Sequence, residues 1–180
     1  MRARVIVTTR EKRKDENVAP EGIPAVGFND LFKYDELILT GGEPMVICER
    51  LVELVHRLRL QGYKGKIYLY TANSHRLNRY WAVEMLIDEV DGITYTVRDN
   101  KNYDKLKSDF TDLRRLDRYL SLSNREGKED RLYIDSRVYS AEYVESVEYK
   151  WQEIKPFVES EADIPEGEDI IYYDVEGDNG

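Results

Sequence analysis

Two glycines, an acid and a proline in a row, Gly41-Gly42-Glu43-Pro44, are the residues of this chain whose types and order best suit chemistry. A backbone without Cβ atoms comes within contact distance of a ligand, and a helix opening at Pro44 would turn its free N–H groups to the same point. Glu43 adds an acceptor suited to an ammonium group or a ribose hydroxyl. The plainer use of the same residues is a tight strand-to-helix corner with a carboxylate on the positive end of the helix dipole. Histidine is the side chain suited to acid–base work near neutral pH, and His75, with Glu43 and Asp99, forms the set of acid–base candidates; its plainer role is a solvated residue at a helix start. Cys48 falls early in the helix after Pro44, where the dipole would activate a thiol. No histidine or second cysteine neighbours it, so it reads as a small packed side chain. A single cysteine excludes an intramolecular disulfide and any all-cysteine metal site within the chain. Glu43, His75, Asp99 and Asp135 are hard ligands, but no compact spacing gathers them and no metal is assigned.

These residues sit where strands should end. Residues 4–8, 36–40, 66–71, 92–97 and 131–135 are short β-rich runs, and 170–173 suits a sixth strand. Between them, Ile47, Leu51, Leu54, Val55 and Leu58 recur at helical spacing, as do Leu77, Tyr80, Trp81, Val83 and Leu86, and then Tyr103, Leu106, Phe110, Leu113, Leu116 and Leu120. Asn29-Asp30 caps a helical turn through Tyr34, and 143–154 suits a helix while leaving a strand open. Alternation of this kind predicts right-handed β/α crossovers and a mainly parallel sheet. About six strands are too few for an eight-stranded barrel, which leaves a partial, open β/α barrel or a doubly wound open sheet. The C-terminal strand ends, Thr8-Thr9-Arg10, Gly41-Gly42-Glu43, Asn73-Ser74-His75, Arg98-Asp99, Asp135-Arg137 and Asp174, then converge on one rim. Residues 1–140 read as the β/α domain and 141–180 as an acidic extension packed on it.

Leu37-Ile38-Leu39-Thr40-Gly41-Gly42-Glu43-Pro44 resembles the second-strand signature of the radical S-adenosylmethionine (radical SAM) superfamily, in which a GGEP turn holds the methionine amino group of SAM. Tyr70-Thr71-Ala72-Asn73-Ser74 and Asp91 to Asp99 resemble that family's third and fourth strand ends, so the likeness spans about residues 36–99. It implies a radical-SAM-like partial barrel with Gly41, Gly42 and Glu43 at an aminoacyl end, and Asn73, Ser74 and Arg98 at its carboxylate or a ribose. The family cleaves SAM reductively at an iron–sulfur cluster held by CxxxCxxC in the loop after strand one. Here that loop has no cysteine, so the resemblance implies SAM as a possible ligand, no iron–sulfur cluster and no radical chemistry.

Composition sets the outer bounds. A 41% hydrophobic fraction with few Gly and Pro excludes a wholly disordered or collagen-like chain. No apolar run approaches the roughly 18 residues needed to span a bilayer, and the N-terminus lacks signal-peptide character; a cytoplasmic protein without membrane contact is expected. The net charge is −9, but residues 139–180 carry −11 and residues 1–138 carry +2. An acidic chain disfavours non-specific nucleic-acid binding. Basic clusters at Arg10, Lys12, Arg13, Lys14 and at Arg114, Arg115, Arg118 read as solvated, or as docking points for an acidic segment or partner. Tyr68, Tyr70, Tyr95 and Tyr133 read as half-buried sheet residues, or as a binding surface. Three functions follow in order: a cluster-less binder of SAM, a related nucleoside or an amino acid; a regulatory protein on the same scaffold that binds another protein; and a redox-independent enzyme using Glu43, His75 or Asp99.

Overall fold

In a computed structural model of the protein, residues 1–10, 16–72, 80–98, 103–158 and 166–177 are described. Among them, strands β1 (Arg2–Thr8), β2 (Glu36–Gly41), β3 (Lys66–Thr71), β4 (Gly92–Val97), β5 (Arg131–Asp135), β6 (Glu153–Phe157) and β7 (Glu168–Tyr172) form one open sheet. Its order is β6-β5-β4-β3-β2-β1-β7, and every pairing is parallel. Helices α1 (Cys48–Leu60), α2 (Tyr80–Glu89), α3 (Tyr103–Leu122) and α4 (Ala141–Glu145) lie between the strands, with 3-10 turns at Phe28–Lys33 and Pro44–Ile47. The α/β architecture is the expected one. The parallel pairing is complete rather than partial, and the sheet holds one strand more than the six expected.

The extra strand is β6. Its sequence, Glu153-Ile154-Lys155-Pro156-Phe157, carries a proline and alternating charges, which argue against a strand inside a sheet. At the edge beside β5 a missing N–H removes no interior ladder bond, so Pro156 is tolerated and blunts the edge. The stretch 143–154, open between helix and strand in the sequence, holds the end of the short helix α4, a connection, and the start of β6. At the other edge, β7 is covered by residues 24–26: Tyr172 donates its N–H to the Pro24 carbonyl, and Val26 donates to the Tyr172 carbonyl, both at 2.9 Å.

Residues that pair across a parallel sheet point to the same side, so register sorts the side chains into two faces. Ala3, Val5, Val7, Leu37, Leu39, Ile67, Leu69, Ile93, Tyr95, Val97, Leu132 and Ile134 form one buried apolar face, in a single core with Leu51, Leu54, Val55 and Leu58 of α1 and Leu86, Leu113 and Leu120 of α2 and α3. Consecutive right-handed crossovers stepping one way, β1 to β6, put the helices on that face. The second face is of another kind. Arg4, Ile38 and Tyr68 share one row, and Thr96, Tyr133 and Lys155 another. Cations lie over rings there: Arg4 at 5.8 Å from the Tyr70 centroid, Arg131 at 6.0 Å from Tyr68, and the Lys155 amine at 4.4 Å from Tyr133.

A buried ion pair stands at the N-terminal edge of the sheet. Arg125 forks onto Asp130 with Nε–Oδ2 2.8 Å and Nη2–Oδ1 2.6 Å, and its Nη1 donates to the Ile87 carbonyl at 2.6 Å. Asp130 also accepts from the Ile93 N–H at 3.0 Å and from the Tyr149 hydroxyl at 2.8 Å. Burial, reinforced by that bond to Asp130, pushes the Tyr149 phenol up to about 12. A strand earlier, Asp91 accepts from Ile67 N–H at 2.8 Å and from Arg59 at 2.7 Å.

Cys48 opens α1 inside the core, and burial, with Glu49 beside it, pushes its thiol up to about 12. A raised thiol pKa leaves almost no thiolate near about pH 8. Ellman's reagent is therefore expected to leave the native protein unlabelled and to titrate one thiol per chain after unfolding. Fast native labelling would contradict that packing.

Candidate functional site

The diglycine corner stands at the C-terminal end of β2, beside the end of β1. A β-bulge shifts the register there, pairing Ile6 with Thr40 and then Thr8 with Gly41. Gly41 has φ +143°, and a Cβ on it would fall on the Thr8 carbonyl oxygen. A Cβ on Gly42 would stand 2.5 Å from the Arg10 carbonyl oxygen. The chain that these glycines admit is therefore the protein's own: Gly42 N–H donates to Thr8 at 2.8 Å and Glu43 N–H to the Arg10 carbonyl at 2.7 Å.

Glu43 is 4% exposed, and its carboxylate is held from inside. Oε1 accepts from the Met45 N–H at 2.9 Å and from the Thr71 hydroxyl at 2.6 Å, while Oε2 accepts from the Ala72 N–H at 3.2 Å. One residue thus caps the Pro44–Ile47 turn and fastens it to the end of β3. The capping role was legible from the helix start; the bonds to β3 were not.

Beside the corner, on the sheet face away from the helices, lies an open cavity of about 370 Å³. Arg4 and Ile6 of β1, Thr40, Gly41 and Gly42 of β2, and Ile170 of β7 line it, with Thr9, Pro20 and Ile23 at its side. Its size falls in the range of small-molecule sites. Four of the lining side chains, Ile6, Ile23, Ile170 and Pro20, are apolar. Arg4 brings a cation already neutralised: Nε and Nη2 meet the Glu168 carboxylate at 3.1 and 3.0 Å, and that side chain is 3% exposed. Thr9 is engaged with Asn17 and the Val18 backbone. Among the described residues the Thr40 hydroxyl takes no partner.

Of the residues expected at the site, Gly41 and Gly42 border the cavity and Glu43 stands next to it, turned toward β3. Arg98 is exposed just beyond β4 and is not part of the cavity wall. Asn73, Ser74, His75 and Asp99 lie outside the described residues. Arg4, Ile6, Thr40 and Ile170 went unread as site residues; their signal is the two-residue alternation of β1, β2 and β7, which assigns them to one face only once register is known. Tyr68, Tyr70 and Tyr133 share that face, whereas Tyr95 points into the helix-covered core. Asp135 at the end of β5 is buried, and Arg137 donates to it from Nε at 2.9 Å and from Nη2 at 2.6 Å. Among the described residues no three His, Cys, Asp or Glu side chains gather as metal ligands, and no helix is long and apolar enough to cross a membrane.

Fold and site together define an α/β protein whose parallel sheet carries a ligand-sized cavity at the C-terminal ends of its first two strands. No protein-family model, curated protein or solved structure matches the chain.

Proposed function

We propose that the protein binds a small ligand, SAM or a related nucleoside in preference to a free amino acid, at the Gly41-Gly42 corner and without radical chemistry. The observation that carries this reading is that both glycines border the 370 Å³ cavity at the C-terminal edge of a parallel sheet, where α/β proteins seat ligands. The sequential order of β1 to β6 supports a radical-SAM-like partial barrel as the scaffold. The preference for a ring follows from the walls. Apolar side chains and a neutralised Arg4 suit an uncharged ring better than a carboxylate, because the guanidinium is already occupied by Glu168. The corner amides of Gly42 and Glu43 are bonded to β1 and its extension, so polar recognition falls to the Thr40 hydroxyl.

Calorimetric titration with SAM, S-adenosylhomocysteine, adenosine and methionine tests this reading. Saturable binding of an adenosyl compound is expected, with methionine weaker. Thr40→Val should weaken binding about tenfold, the worth of one buried hydrogen bond of ~1.4 kcal/mol. Ile6→Phe should block the cavity. No saturable binding by any of the four, or binding untouched by Ile6→Phe, rejects the proposal. Glu43→Ala is a poorer probe, because it also removes a cap and a link between strands.

A further inference from the structure

On the outer surface, α3 carries Arg114, Arg115 and Arg118, all exposed, at spacings that put them on one helical face. Cations elsewhere are mostly engaged: Arg2, Arg4, Arg10, Arg59, Lys66, Arg125, Arg131 and Arg137 each meet a carboxylate. Among the described residues, these three arginines of α3 meet none. Their face also holds Leu122, 78% exposed.

A second charged strip runs alongside. Glu142, Glu145 and Glu148 are exposed, and among the described residues their carboxylates take no partner either. Asp117 ties the Glu148 end of the acidic strip to α3. Buried between Arg114 and Arg118 in the sequence of α3, it accepts from the N–H of Glu148 at 2.6 Å, from the N–H of Tyr149 at 3.1 Å and from the Trp151 indole at 2.9 Å. The segment carrying the acids is thereby pinned against the helix carrying the bases, yet no acid of the strip comes within ion-pair distance of those bases.

A basic strip beside an acidic strip is its own complement under a two-fold rotation, since each strip of one copy then faces the opposite strip of the other. We infer that the α3–α4 face is a self-association surface, on which Arg114, Arg115 and Arg118 of one copy meet Glu142, Glu145 and Glu148 of a second. A polyanion such as nucleic acid would satisfy the arginines but would meet the acidic strip and a chain of net charge −9, whereas a second copy satisfies both strips at once. Exposed ion pairs are individually weak and screened by salt, so the dimer is a weak and ionic one.

Sedimentation equilibrium on the intact chain reads this directly. At low ionic strength a concentration-dependent dimer is expected, weakened at least about tenfold when salt reduces the screening length to a few ångströms. The triple variant Arg114→Glu/Arg115→Glu/Arg118→Glu should be monomeric, and so should Glu142→Lys/Glu145→Lys/Glu148→Lys. A one-to-one mixture of the two should dimerise again, although both variants stay net acidic. All six side chains are exposed, and unchanged far-ultraviolet circular dichroism will show that the variants fold. A monomer at every concentration at low salt, a dimer indifferent to salt and to both variants, open-ended polymers, or failure of the mixture to associate would overturn the inference.

Discussion

Asp130→Asn is expected to lower the unfolding free energy by about 3–5 kcal/mol, because it strands a buried guanidinium beside an uncharged partner. The Arg125 and Asp130 side chains are 3% and 0% exposed, so neither charge has water to fall back on. Asn keeps one oxygen and with it two of the four bonds that Asp130 takes. Its amide N–H₂, however, faces the donors of the oxygen it replaces: with the carbonyl at Oδ1, these are the Arg125 Nε and the Tyr149 hydroxyl. Arg125→Met should cost less, since Asp130 then keeps the Ile93 and Tyr149 bonds, although the bond to the Ile87 carbonyl is lost because a thioether donates nothing. The asymmetry between the two variants is the informative part. Urea unfolding followed by circular dichroism measures it: a midpoint shift in Asp130→Asn clearly larger than in Arg125→Met. Equal shifts, or a loss under about 1 kcal/mol in Asp130→Asn, would mean that solvent reaches the pair.

That network shows where sequence reading stops. Asn124 to Asp130 join α3 to β5, and such connections are polar whatever their neighbours. Nothing in the order of residues says that Arg125 folds back onto Asp130, or that Tyr149, nineteen residues on, closes the set. By contrast, α1 and α3 were legible because apolar residues repeat along them with one period, and β2 and β3 because each is a compact apolar run, signals that survive without knowledge of partners. β6 was not, because an edge strand is half solvated and its charges and Pro156 mimic a loop. The corner was legible as a corner. What it touches was not: Gly41 and Gly42 read as room for a ligand, yet the nearest backbone is that of Thr8 and Arg10, and the cavity opens on their other side. Only the bulge in the β1–β2 register brings those carbonyls so close.

Gly41→Ala is expected to be the second severe change, costing about 3 kcal/mol or more where surface substitutions stay within ±0.5. Two effects combine in it. The backbone holds φ +143°, which a side chain resists, and the added methyl would run into the Thr8 carbonyl. Gly62 separates the two. It too has positive φ, +91°, but a Cβ there would have nothing within 4 Å, because the residue only ends α1 by donating to the Arg59 carbonyl. Gly62→Ala should therefore show the backbone penalty alone, about 1 kcal/mol. The excess in Gly41→Ala is then the measure of how tightly β1 and β2 close at their C-terminal ends. Thermal unfolding of both variants gives the difference. Should Gly41→Ala fail to accumulate, Gly42→Ala supplies the same reading, with its clash at 2.5 Å on the Arg10 carbonyl and no backbone strain added. Equal losses at Gly41 and Gly62 would show that the corner has room to spare, and with that the tight junction of the two strands beside the cavity would fall.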